Sequence, residues 1–463
     1  MQEIYNIAFL GGGPAGYQGA IRAAQLGARV AVVEEKLLGG VCLNQGCIPT
    51  KTVRASAELA RSMRRAREYG FRPVEVVPDM AAIIARKERV VASLRRSIER
   101  LFQAHRIDLV EGRGRLLAPN KIEVEKDGRT RLMETEKVVV ATGSRPASLT
   151  SLPQELGLFL ADDILDAAYL PSHLLVVGGG VIGVEMAAVF RELGSQVTLI
   201  EVQDRLLPAE DAEMSDYLRG VLQRRKVKTI CGAQIKSASR EGEKYNIQLT
   251  NGTDLSPDAV LLAVGRRYNT EGLGLEKVGV ALEQGHIEVA ESMQTNVPGI
   301  YAAGDVVGGW LLAHVAFAEG ICAAESALGL ESRMDYRVVP RVVFSLPEYS
   351  MVGLSEAEAQ VICPVKVARF PFKSLGMGQT VGELEGLVKI ISHAQTDQIL
   401  GAHIIGPHAS DLICEIALAM KAEVPSRVIM QTMHSHPTLS EAVLEAAQAL
   451  HGQAIHMLPG EAA

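Results

Sequence analysis

The chain has 463 residues, 48% hydrophobic and 22% charged, which is enough apolar material for two to four domains and far from a disulfide-held mini-protein. Its formal charge of -7 gives no basic patch for nucleic acid, and the opening MQEIYNIAFL lacks a cationic leader, so no secretory signal is expected. The longest apolar run, Leu174 to Val184, is broken by glycines and ends at Glu185, which argues against a membrane span and for a soluble, cytoplasmic protein.

In chain order, the first predicted unit is a strand over Ile7 to Leu10, a glycine turn, a helix over Tyr17 to Leu26 and a strand over Arg29 to Glu34. In Gly11-x-Gly13-x-x-Gly16, which encloses Pro14 and Ala15, the first glycine allows a tight turn and the second lets backbone approach a pyrophosphate. The third lets helix and strand pack closely. Glu34, ending the second strand, stands where a carboxylate accepts hydrogen bonds from a ribose diol. Taken alone, one such fingerprint is equally an ordinary tight turn.

Cys42 and Cys47 follow, with four residues between them, unlike the two-residue spacing of zinc knuckles and thioredoxin-type sites. Metal binding is therefore disfavoured, and the position just after a nucleotide-binding unit favours redox chemistry. Pro49 and Lys51 predict a helix starting near Cys47, whose dipole and lysine charge favour a thiolate. Cys231, Cys322, Cys363 and Cys414 stand alone, which fits a reducing compartment. Between Ala81 and Phe102, apolar residues at helical spacing predict a helix packed by one face.

A second unit repeats the first: strand Leu174 to Val177, Gly178-x-Gly180-x-x-Gly183, helix Glu185 to Leu193, strand Gln196 to Glu201. The duplication predicts two parallel sheets. Glu201 matches Glu34, and a carboxylate there repels a 2′-phosphate, favouring NAD over NADP. After about Val339 the pattern changes. Strands over Val342 to Phe344 and Gly386 to Ser392, and helices over Ser410 to Ala422 and Ser440 to His451, predict a separate α+β domain. His436 and Glu441 of that tail are the residue types of a base and of an acid that could orient it. The residues by themselves favour a plainer reading of the His-Pro-Thr segment, a capped turn served by Thr438 or Ser440.

GGVCLNQGCIPTK resembles the active-site segment of the flavoprotein disulfide reductases. ATGSRP from Ala141, VGRRYNT from Val264 and YAAGD from Tyr301 resemble other landmarks of that family, so the likeness covers nearly the whole chain. LLAHVAFAEG from Leu311, HSHPTLSE from His434 and AIH at Ala454 are most similar to the members that oxidise dihydrolipoyl groups with NAD.

The resemblance implies an α/β fold with two Rossmann-like dinucleotide-binding domains, for FAD and NAD, and a C-terminal α+β dimerisation domain. The expected boundaries are 1–145 for the first part of the FAD domain, 146–268 for the NAD domain, 269–338 completing the FAD region, and 339–463 for the interface. FAD would be held by the first fingerprint with Glu34, Gly114, Thr142, Gly143 and Ser144. Asp305 would bond its ribityl chain, and backbone from Leu311, Leu312, Ala313 and His314 would meet the flavin. NAD would be held by Gly178, Gly180, Val181, Ile182, Gly183, Glu201 and Gly265, with Ile182 bordering the nicotinamide. Cys42 and Cys47 would form the redox disulfide, and Lys51, paired with Glu185, would sit beside flavin N5. His436 would reach the disulfide of a partner subunit, which implies a homodimer with shared sites.

No metal is implied, and no lipoyl-bearing segment is expected before residue 1, so lipoyl groups would arrive on a carrier protein. Two rivals stand beside this reading: a reductase of another disulfide or of a metal ion, and a non-catalytic subunit that keeps the fold. Glu201 argues against an NADPH-linked reductase, and the intact Cys42, Cys47, His436 and Glu441 argue against lost chemistry. Val41, where threonine is common, Tyr268, where proline is usual, and Lys373 to Thr380 depart from the family; the last bears on access to the disulfide.

Overall fold

The structure, a computed structural model, describes residues 4–149 and 152–458; residues 1–3, 150–151 and 459–463, which the expected domains include, lie outside the described residues. The first sheet grows from strands Asp108–Glu111, Val30–Glu34, Tyr5–Leu10 and the second half of Arg129–Val140, parallel and in that order. The first half of Arg129–Val140 turns instead into an antiparallel hairpin with Lys121–Lys126 and Arg113–Ala118. Ile300–Ala302 adds alongside Val138–Val140, so a late segment completes the sheet that opens the chain. The helix that follows it, Ala313–Ala327, lies against helix Pro14–Gln25 at backbone distance. A Cβ on Gly320 would stand 2.1 Å from the Ala15 carbonyl oxygen, and one on Gly19 would stand 2.5 Å from that of Gly320.

The second sheet is parallel throughout, in the order Val227–Cys231, Gln196–Glu201, His173–Val177, Ala259–Leu262, Phe159–Leu160. Both fingerprint helices start earlier than their apolar periodicity suggests, at Pro14 and Val181, with Gly13 and Gly180 as N-caps. Proline at the first helical position presets the backbone there.

The tail forms a five-stranded antiparallel sheet, ordered Arg341–Val343, Glu348–Gly353, Ile399–Gly406, Leu387–His393, Val365–Pro371, with helices Ala409–Lys421 and Glu441–Ala449 packed against it. Three of these strands lack a sequence signal for a physical reason. Glu348–Gly353 and Ile399–Gly406 are buried on both faces, which removes the polar alternation that marks a half-exposed strand, and Val365–Pro371 is an edge ending in proline.

Helix Cys47–Arg64 is held between these layers. Its Val53 and Ala57 share one apolar core with Met186 and Phe190 of the second nucleotide helix and with Leu346, Tyr349 and Met351 of the tail. The cysteine segment is thus fixed by all three regions of the chain. No helix among the described residues is long and apolar enough to cross a membrane.

Candidate active site

The two glycine turns are built alike, down to individual atoms. Gly11 and Gly178 have φ of +105° and +108°, and a Cβ on either would stand 2.3 or 2.2 Å from the carbonyl oxygen of Ala141 or Ala263. A Cβ on Gly16 or Gly183 would stand 1.9 or 1.8 Å from the carbonyl of the first glycine in the same turn. The middle glycines differ: Gly180 has nothing within 4 Å of the Cβ position, and Gly13 has only the Gly40 Cα, at 3.8 Å. Neither helix start has a side-chain cap, so its first N–H groups remain open to an anion.

The acids after each turn are also matched. The Gly12 N–H donates to Glu34 Oε2 at 2.7 Å and the Lys36 N–H to Oε1 at 2.8 Å. The Gly179 N–H donates to Glu201 Oε2 at 2.6 Å and the Gln203 N–H to Oε1 at 2.8 Å. Each carboxylate therefore faces its own glycine turn at the carboxyl end of a parallel strand, with lone pairs left for a ribose diol. The open middle glycines, uncapped helix starts and paired acids fit a dinucleotide at each of the two places. Gly265, also expected at the second, has φ of +112° and no atom within 4 Å of its Cβ position. Val181 is exposed on the first turn of the helix, while Ile182 packs on the core beside it.

Around the first place, the ATGSRP and VGRRYNT segments, more than 100 residues apart, pair as short antiparallel strands Ser144–Pro146 and Arg266–Tyr268. The Thr142 hydroxyl donates to the Asn269 carbonyl at 2.7 Å, and Asn269 returns a bond to the Thr142 carbonyl at 2.9 Å. The Ser144 hydroxyl donates to Asp305, and Arg266 Nε donates to that hydroxyl at 2.6 Å. Gly143 is open, whereas a Cβ on Gly114 would meet Leu10 and Val33 side chains, so Gly114 lets its strand press on the sheet. Leu311, at φ +49°, turns the chain into the uncapped start of helix Ala313–Ala327, and His314 Nε2 lies 2.8 Å from the Pro340 carbonyl oxygen.

Cys42 lies in the short helix Gly40–Asn44, and Cys47 opens helix Cys47–Arg64. The two are free thiols in contact. A hydrogen bond from Cys42 holds the Cys47 sulfur as the anion; with Lys51 acting in the same sense against burial, the Cys47 pKa falls to about 7. The same hydrogen bond, reinforced by burial, pushes Cys42 far up. Lys51 Nζ donates to Glu185 Oε2 at 3.0 Å and lies 4.2 Å from the Phe344 ring centroid, and the Phe344 N–H donates to Glu185 Oε1 at 2.8 Å. Glu185 is buried, so this chain of contacts ties the cysteine helix to the second nucleotide helix and to the tail.

His436 Nδ1 lies 2.9 Å from Glu441 Oε1, and the Thr438 N–H donates to Glu441 Oε2 at 2.8 Å. Burial opposes ionisation of Glu441, but the Thr438 and His436 bonds prevail and keep its pKa below the ordinary value. The His436 side chain is 77% exposed, so it points out of its own chain. Among the described residues, no hydrogen bond or ion pair joins it to Cys42, Cys47 or Lys51.

Sequence reasoning missed Arg266, Asn269, Phe344 and Glu319. The first two belong to a motif whose partner strand is remote, and Phe344 acts through its backbone and ring face. Glu319 had a signal, an acid inside the apolar helix Ala313–Ala327; it is buried and accepts from the Gly304 N–H at 2.7 Å.

Two dinucleotide folds, a vicinal dithiol between them and a third antiparallel domain define a disulfide oxidoreductase. The profile of the pyridine nucleotide-disulphide oxidoreductases matches residues 5–320 and that of their dimerisation domain residues 339–447, so the chain belongs to that family. FAD and NAD are the cofactors of these enzymes. Among its relatives, the dihydrolipoyl dehydrogenase of Bacillus subtilis is 40% identical, over 98% of this chain and 100% of that protein. That of Chlamydia muridarum is 39% identical over 99% of both. The crystal structure of LpdA from Mycobacterium tuberculosis superposes with a TM-score of 0.90 at 32% identity, covering 96% of this chain and 99% of the other. The Cu(II) complex of RclA, an HOCl-induced flavoprotein disulfide reductase from Escherichia coli, has a TM-score of 0.88 at 27% identity, with the same coverage.

Proposed function

We propose that the chain oxidises protein-bound dihydrolipoyl groups to the cyclic disulfide through Cys42 and Cys47, with reduction of NAD to NADH. The observation that carries this is the thiol pair itself: Cys42 in the short helix Gly40–Asn44 beside Cys47, which opens a helix that carries Lys51 one turn further on. Likeness over the full length to proteins named dihydrolipoyl dehydrogenase supports the substrate.

His436, held by Glu441, removes the proton from one substrate thiol. The resulting thiolate attacks Cys42 Sγ of the oxidised pair, the Cys42–Cys47 bond breaks, and Cys47 leaves as a thiolate held by the helix start and Lys51. The second substrate sulfur, once deprotonated, displaces Cys42 from the mixed disulfide and closes the lipoyl ring; Cys42 leaves as a thiolate and takes up a proton. FAD held at the first glycine turn would supply a two-electron acceptor for the Cys42–Cys47 dithiol, and NAD held at the second the final acceptor.

The first fingerprint, Glu34, Gly114, Thr142, Gly143, Ser144, Asp305 and the turn from Leu311 to His314 hold FAD in this reading. The second fingerprint with Val181, Ile182, Glu201 and Gly265 holds NAD. The exposed His436 serves the disulfide of a second copy, which makes the enzyme a homodimer with shared sites; the isolated cysteines fit a cytoplasmic setting. The test is anaerobic mixing of the FAD-loaded protein with dihydrolipoamide and then with NAD or NADP. Flavin reduction by dihydrolipoamide, discharged by NAD faster than by NADP, supports the reading. Flavin that stays oxidised with dihydrolipoamide yet is reduced by NADH overturns the substrate and leaves a reductase of another disulfide.

A further inference from the structure

The overall charge of -7 hides a strong segregation of sign. Residues 47–106, which form helices Cys47–Arg64 and Met80–Ala104 and their connection, carry fourteen Lys and Arg against six Asp and Glu. That is a net +8, which leaves -15 on the rest of the chain. Helix Met80–Ala104 carries half of that excess, six Lys and Arg against two Glu. At about 100° per residue, Arg86, Arg89, Arg96 and Arg100 fall in one stripe about 80° wide. All four are exposed, and they lie opposite the buried positions Met80, Val91, Ile98 and Phe102. No Asp or Glu falls in the stripe. On the other helix of the hairpin, Arg61 pairs with Glu383 and Arg54 with Glu348, and Arg65 just after it also pairs with Glu383. Among the described residues, Arg89, Arg96 and Arg100 make no ion pair. A solvated face would ordinarily mix both signs.

The same helix touches the redox segment. Arg95, about 140° around the helix from the middle of the stripe, donates to Asn44 Oδ1 at 3.1 Å, and Asn44 lies between the two cysteines, so the stripe is on the outer side of a helix whose inner side holds the redox segment. We infer that the arginine face of Met80–Ala104 is a docking surface for an acidic folded domain that carries the dithiol substrate to Cys42 and Cys47. This rests on the reading of the substrate as a protein-bound dihydrolipoyl group. A compact acidic domain can cover this face alone, whereas an extended polyanion would also run over the acidic remainder of the molecule. Attraction of this kind acts mainly on encounter and is screened by salt.

The experiment uses the FAD-loaded protein and a variant with Arg89→Gln, Arg96→Gln and Arg100→Gln together, substitutions that keep helix propensity. Two substrates are compared, free dihydrolipoamide and a purified dihydrolipoyl carrier domain of strongly negative net charge. With the carrier, kcat/KM of the variant should fall about tenfold at roughly 0.05 M salt, and the gap should close at about 0.5 M salt. With free dihydrolipoamide the two proteins should be equal. Equal carrier rates at low salt would overturn the docking surface. So would a variant that changes oligomeric state in sedimentation, which would make the face an interface between copies. Tighter binding of a 20-base-pair duplex than of the carrier domain, to the parent protein, would overturn it in favour of nucleic acid. If the parent protein oxidises neither substrate, the substrate reading fails; equilibrium binding of the carrier domain to parent and variant then decides the docking surface by itself.

Discussion

At the residue scale, Cys42 and Cys47 are chemically alike in sequence and opposite in place. Only Cys47 stands at a helix start near Lys51, so it should be the thiolate of the reduced pair. Titration of thiolate absorbance in the reduced protein should show one anion forming with a midpoint near pH 7, and Lys51→Met should move that midpoint upward. A midpoint unmoved by Lys51→Met would remove the lysine from this role. Cys42→Ser should abolish oxidation of dihydrolipoamide while FAD stays bound, since the nucleophile's target is gone and no nucleotide contact is touched. Retained activity would sink the proposed pathway. His436→Gln should lower kcat by about 10²- to 10⁴-fold, the usual contribution of a positioned base. Rate measurements across pH would separate this from a folding defect, because the loss should shrink at alkaline pH, where the substrate thiol ionises unaided.

At the element scale, the glycine turns differ in what their positions tolerate. Gly183→Ala drives a methyl to 1.8 Å from a backbone oxygen and should break the turn, leaving FAD bound but NADH unable to reduce it. Gly180→Ala meets nothing within 4 Å, so thermal stability should hold while KM for NAD rises, the added methyl standing where pyrophosphate approaches. An unchanged KM would remove Gly180 from the NAD site.

The junction between the second nucleotide domain and the tail depends on Lys389, 1% exposed, which binds Asp211, Glu213 and Glu356 at 2.7–3.0 Å. Lys389→Ala leaves the buried Asp211 without its cation, while Glu213 and Glu356 keep Arg369, and should cost about 3–5 kcal/mol, read as a lowered unfolding midpoint. Asp211 and Glu213 have pKa values below their ordinary ones. For Asp211, burial acts the other way, and the Glu356 N–H, His403 and Lys389 outweigh it; for Glu213, Arg369 contributes most. Their stabilisation is therefore complete above the ordinary carboxylate range and is lost as pH falls through their depressed values. Unfolding midpoints measured from neutral pH into acid should fall in the parent and fall less in Lys389→Ala.

At the scale of the whole molecule, the proposed function pairs the exposed His436 with the half-buried cysteine pair of a second copy. Mixed dimers of Cys42→Ser and His436→Gln subunits place one intact cysteine pair opposite one intact histidine. Co-expression should restore up to about a quarter of parental activity from two inactive proteins, because half of randomly paired dimers hold one complete site of two. No recovery, with mixed dimers verified by mass spectrometry, would confine each site to one chain. At this scale the average charge misled, because -7 concealed a hairpin of +8.

Much of the architecture was legible from the residues. Gly11, Gly16 and Glu34, and their counterparts Gly178, Gly183 and Glu201, act within one strand-turn-helix-strand unit, where spacing along the chain sets distance in space. The cysteine helix was legible for the same reason, since Cys47, Pro49 and Lys51 share its first turn or so. The folded chain alone decided what depends on remote contact: the pairing of Ser144–Pro146 with Arg266–Tyr268, the arrival of Ile300–Ala302 in the first sheet, and the bond from the Phe344 N–H to Glu185. It also hid the strands Glu348–Gly353 and Ile399–Gly406, because burial on both faces erases the alternation by which a sequence announces a strand. Local spacing determines the turns, caps and charge periods of this protein; which distant segments meet is set by the packing of whole layers, for which no short stretch of sequence carries a signal.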